Sequence, residues 1–177
     1  DPAAHNGAGF KLVGSSAIIR HVAIRNMDCS YTQIDYQLWS GAAVYVKNSA
    51  ALIEDIEVTD CVANHGGSVA AWGTDRSVVR NGLFLRTSGT QWGGAMLMED
   101  DVSTAFHDCT FSHSRCDYGA AMDDGGTAHP YYKNCVFEYG EGAYGAASYH
   151  YGTSYTAFEN CTFRGNTPNT GTVYINA

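Results

Sequence analysis

The sequence predicts an all-β solenoid, a right-handed parallel β-helix of about six coils with a period of about 26 residues. Three observations predict it: a glycine that returns at a fixed interval, columns of apolar residues that keep step with it, and a composition that suits tight bends. Residues 17–177 read as one such domain, preceded by an extended N-terminal cap or arm over residues 1–16.

The glycine mark comes first. Gly41, Gly67, Gly94, Gly119, Gly145 and Gly171 are separated by 26, 27, 25, 26 and 26 residues. Each opens a short run of small and apolar residues, as in GAAVYV, GAMLME and GAASYH.

The columns follow. Val22, Ile56, Gly82, Cys109, Cys135 and Cys161 share one position of the repeat, and two residues on come Ile24, Val58, Phe84, Phe111, Phe137 and Phe163. Three residues before the first column lie Ile19, Ile53, Val79, Phe106, Tyr132 and Phe158. Apolar residues alternate within each unit, which is strand period and not helix period. In a parallel coil each residue stacks on its equivalent about 4.8 Å away, so like residues form ladders. His21, Asp55, Asn81, Asp108, Asn134 and Asn160 form a polar ladder at a bend. Arg20, Glu54, Arg80, His107, Lys133 and Glu159 form an outward column, the first three alternating in sign.

Composition closes the fold argument and excludes some partners. The 177 residues are 45% hydrophobic and 16% charged, with 20 Gly, 12 Tyr and 3 Pro, a mix that suits a compact β protein. The net charge of −8, without a basic cluster, argues against nucleic acid and against anionic lipid. No apolar stretch reaches the length of a transmembrane segment. The opening Asp1-Pro2-Ala3-Ala4 shows no signal peptide and reads as a mature or excised chain. Six Cys without a Cys-x-x-Cys pair argue against structural zinc.

The last coil, FENCTFRGNTPNTGTVYIN, resembles the repeats of polymorphic outer membrane proteins, and the chain is similar more broadly to the right-handed β-helices of the pectin-lyase-like superfamily. Phe163-Arg164-Gly165-Asn166 matches the Phe-x-x-Asn of those repeats, and Gly93-Gly94-Ala95-Met96 matches their Gly-Gly-Ala-Ile. The resemblance covers residues 17–177 and implies an extracellular or cell-surface protein. A lyase of that class implies calcium beside a catalytic Arg or Lys, and Arg86, Arg115 and Lys133 are available, with no motif to select one.

Departures from the repeat are where function is placed on such a scaffold. Eighteen residues separate Val22 from Gly41, against 9 to 11 in later coils. The excess is read as one loop over residues 27–40. Tyr36 and Trp39 from this loop, with Trp92, are candidates for a sugar-stacking platform; the alternative is that Trp39 caps the first coil. Asp75, Asp100, Asp101, Asp123 and Asp124 follow the strands of successive coils, with Glu99 beside them. They are read as solvated turn residues, as oxygen ligands for calcium, or as a carboxylate pair for glycoside cleavage. The seven His show no metal spacing and are read as surface residues. Cys29 and Cys61 are the disulfide candidate. Asn160-Cys161-Thr162 is a glycosylation sequon, but its place in the polar ladder argues against use.

Three functions are consistent with these features. One is an extracellular structural or surface module, built by end-to-end stacking of copies into a fibre. The second is a polysaccharide lyase or glycoside hydrolase. The third is a carbohydrate-binding adhesin.

Overall fold

The computed structural model describes residues 9–30 and 40–176. Among these no helix occurs, and every strand pairing is parallel. Five regular turns of 25 to 27 residues follow a first turn of 34, as the register Phe10, Val44, Val69, Met96, Met122, Ser148 and Val173 shows.

Three sheets run the length of the solenoid. The first stacks seven strands in chain order: Phe10–Val13, Val44–Lys47, Val69–Trp72, Met96–Met98, Met122–Asp124, Ser148–Tyr151 and Val173–Asn176. The second begins with Ile18–Arg25 and Leu52–Thr59 and continues as paired short strands such as Ala105–His107 and Thr110–Ser112. The third holds Asp28–Cys29, Val62–His65 and Ser88–Trp92, extended by bridges through Arg115 to Glu141. Residues 10–13 of the expected arm are thus the opening strand of the first sheet. The expected loop over 27–40 is also narrower. Asp28 and Cys29 already pair with Val62 and Ala63, and Ser40 bridges His65.

The apolar columns have the expected register. Phe84, Phe111, Phe137 and Phe163 stack face to face, with centroids 4.9 to 5.0 Å apart. Phe106, Tyr132 and Phe158 form a second stack that meets the first edge-on. The polar ladder is the bend that separates the paired short strands. All six of its residues, from His21 to Asn160, have φ between 50° and 56°. Asn and Asp tolerate this left-handed conformation, and their side chains bond coil to coil: Asn81 donates to Asp55 and Asn134 to Asp108, at 3.2 and 3.0 Å. Outside, Glu54 lies between Arg20 and Arg80, and Lys133 meets Glu159 at 2.7 Å.

The glycine column needs one correction. The equivalent positions are Gly41, Gly66, Gly93, Gly119 and Gly145, all with positive φ, so Gly67 and Gly94 are one residue out of register, and Gly171, two residues before Val173 and without positive φ, does not continue the column. The first glycine of each Gly-Gly pair makes the turn. A Cβ on Gly119 would stand 1.8 Å from the Met122 carbonyl oxygen, which no side chain tolerates.

Candidate functional site

The first sheet's strands alternate strictly, so residues two apart share a face. Inward in the middle coils point Val44, Val69, Met96 and Met122, all fully or nearly buried. Outward in one column lie Tyr45, Ala70, Leu97, Asp123, Tyr149 and Tyr174, and in the next Lys47, Trp72 and, three coils on, Tyr151. This outer face is not solvated. Tyr45, Leu97, Asp123 and Tyr149 are all buried, because side chains from the third sheet fold over it.

Those side chains are Trp92, Tyr118 and Tyr144, one per coil, each immediately before a turn glycine. Trp92 stacks on Tyr118 at 4.5 Å and Tyr118 on Tyr144 at 5.0 Å. They meet the rings of the first sheet: Tyr118 lies edge-on to Tyr149 at 5.3 Å, Trp92 is 6.2 Å from Tyr151, and Tyr149 stacks on Tyr174. Such offset and edge contacts suit aromatic quadrupoles, and the resulting surface is a broad aromatic platform.

Two carboxyl groups belong to this platform. Asp123 has no solvent exposure, and among the described residues neither of its oxygens has a hydrogen-bond partner. It stands between Leu97 and Tyr149 in its column. Burial, then the charges of Asp124 and Glu99, push its pKa well above the usual carboxylate range and favour the protonated acid. Glu99 lies one coil back. Burial pushes it up to about 7, and the hydroxyl of Tyr151 donates to its Oε1 across two coils. Gly125 makes that reach feasible: a Cβ there would stand 2.1 Å from the Tyr151 ring.

The opposite, inward face of the same strands carries a second polar group. Asp124 Oδ2 accepts from His150 Nδ1 at 2.6 Å and from Thr156 Oγ1, and His150 Nε2 lies 2.9 Å from Ser148 Oγ. This is a Ser–His–Asp relay by geometry. Ser148 is fully buried in the inward column between Met122 and Val173, so its hydroxyl faces the core and cannot serve as a nucleophile for an external substrate.

The candidate residues are therefore dispersed. Asp75 is buried and accepts from the Ser77 amide at 2.9 Å and from Thr104 Oγ1 at 2.8 Å, so it caps a turn. Asp100 accepts from the Gly73 amide, and Asp101 pairs with Arg76 at 2.9 Å. Asp123 and Asp124 point to opposite faces of one strand. Among the described residues no three His, Cys, Asp or Glu side chains are grouped to hold a metal ion. Trp92 lies at the heart of the platform, whereas Tyr36 and Trp39 fall outside the described residues. Cys29 and Cys61 are both buried, and Cys29 is in register with Ala63. Two histidines expected at the surface are not there: His65 and His150 are 4% and 5% exposed, and burial lowers His65 to about 4.

A family model described as the right handed β-helix region matches residues 4–176. The chain belongs to the right-handed β-helix family. No curated protein and no solved structure matches it. Within a β-helix the stacked coils hold any outward column rigidly, and that rigidity is what places Trp92, Glu99, Asp123 and Tyr151 on one face. Tyr118, Tyr144, Tyr149 and Tyr151 escaped the sequence reading. Their signal was available: Trp92-Gly93, Tyr118-Gly119 and Tyr144-Gly145 recur at the period of the coil.

Proposed function

We propose that this β-helix binds a saccharide on the outer face of its first sheet, with Asp123 as the central acid of the site. The observation that carries the reading is Asp123 itself. A carboxyl group buried without a single hydrogen bond destabilises the fold, by about 1–3 kcal/mol for a neutral polar group. Sugar hydroxyls supply the missing partners, and the half-buried rings of Trp92 and Tyr151 supply apolar surface for the sugar ring. Trp92 and Tyr151 are only half-buried, so rotation of either ring admits the ligand. The reading carries with it an extracellular or cell-surface setting, where such polymers lie.

A second reading is favoured by Glu99. A carboxyl group at about 7, next to a second acid, has the property required of a general acid in glycoside hydrolysis. Tryptophan fluorescence titration against a panel of neutral and acidic oligosaccharides separates the outcomes. Binding that weakens at least tenfold in Trp92→Ala and Asp123→Leu supports the site. Reducing-end release lost in Glu99→Gln adds hydrolysis, and unsaturated products that require calcium point to lyase chemistry. Binding unchanged in both variants, or absent in the wild type, contradicts the proposal.

A further inference from the structure

The third sheet carries a site of opposite character. A hollow of about 320 Å³ is lined by Arg86, Thr87, Ser88, His113 and Arg115. It arises from stacking alone. Ser88 is in register with Arg115, and two residues earlier Arg86 and His113 occupy the left-handed bend of the same two coils. On a chain with only ten Lys and Arg and a net charge of −8, two arginines and a histidine around one hollow are a local concentration of nitrogen donors.

Each guanidinium is held by a carboxylate of a neighbouring coil. Arg86 donates through Nε and Nη2 to Asp60, both at 2.7 Å, and Arg115 meets Glu141 at 3.1 and 3.2 Å. Among the described residues both pairs leave Nη1 without a hydrogen-bond partner, and His113 uses only Nδ1, on Ser112. The pairs are exposed, so each contributes little energy, and an incoming anion displaces little. What the carboxylates provide is orientation: they fix the two forks in place and leave donors unused. An arginine fork matches an oxyanion through paired N–H groups, and the hydroxyl of Ser88 adds a neutral donor. The volume is at the lower end of small-molecule sites and suits one monosaccharide-sized ligand.

We propose that this hollow binds a single oxyanion, a phosphate, sulfate or carboxylate group presented by a small ligand, between Arg86 and Arg115. The site is independent of the aromatic platform. Nuclear magnetic resonance titration of the full chain with inorganic phosphate, sulfate and a free hexuronate tests it at low ionic strength. The expected result is saturable shifts of the Arg86, His113 and Arg115 side-chain signals with a Kd of about 1 mM, weakened as salt rises. Arg115→Gln reduces affinity at least tenfold. Preference for phosphate or sulfate over the hexuronate assigns the ligand to esters of those acids, and the reverse preference assigns it to acidic sugars. Absence of shifts at these three residues, or shifts with equal affinity in Arg115→Gln, overturns the proposal.

Discussion

The second sheet and the first are built from the same 26-residue repeat, yet they treat polar groups in opposite ways. In the second sheet every inward column is apolar or a small thiol, and the outward Arg20–Glu54 and Lys133–Glu159 pairs stay in water. In the first sheet that rule holds for the opening coils and then fails. Met122 is followed inward by Ser148, and Met98 by Asp124 and His150, while the outward column buries Asp123 under aromatic rings. A sheet that obeys the stacking rule is scaffold. One that breaks it with an unsatisfied acid holds strain that stability alone does not explain, and such sites are where function is sought.

The largest effect should come from breaking the obedient sheet. Phe111 is fully buried between Phe84 and Phe137, so Phe111→Ala should cost about 3–5 kcal/mol in urea or thermal unfolding. A loss below about 1 kcal/mol would show that the aromatic stack is not the framework.

Next comes the pH dependence of the disobedient sheet. The folded-state pKa of Glu99 is raised to about 7 from 4.5, so its contribution is full below pH 4.5 and is lost as pH rises to 7. The wild type should therefore lose stability relative to Glu99→Gln across that window, by at most about 3 kcal/mol. Parallel pH profiles of the two proteins would place Glu99 in water instead.

Smaller effects sharpen the contrast within the scaffold. Asn134 holds a φ of 55° at the polar bend, so Asn134→Ala should cost about 1–2 kcal/mol, whereas Asn134→Gly should cost less. Glu54→Gln, on the exposed ladder, should change stability by less than about 1 kcal/mol in thermal melts at low salt.

The sequence made the obedient sheet legible because stacking turns spatial neighbours into residues one period apart. The Phe84 column, the Asn and Asp bend and the alternating charges all repeat, and each is found at its expected register. Gly67 and Gly94 were one residue out because a Gly-Gly pair offers two equivalent choices, and only backbone geometry selects the first. The acids failed for a related reason. Asp123 and Asp124 look like one turn, but strand alternation sends them to opposite faces. Asp75 reads as a ligand, yet its oxygens are spent on Ser77 and Thr104 from two coils. The aromatic platform depends on rings that reach from the third sheet across the first, a contact between columns of different phase that no single period displays.

One substitution tests the central claim most directly, because it acts on stability and binding in opposite directions. Asp123→Leu repeats the Leu97 solution one coil later and removes the unsatisfied acid. Thermal unfolding at pH 7, measured with oligosaccharide binding on the same samples, should show a Tm raised by roughly 2–4 °C for each kcal/mol gained, with binding abolished. A Tm that is unchanged or lowered, with binding retained, would mean that Asp123 is an ordinary part of the scaffold and that the aromatic face is not a site built around it.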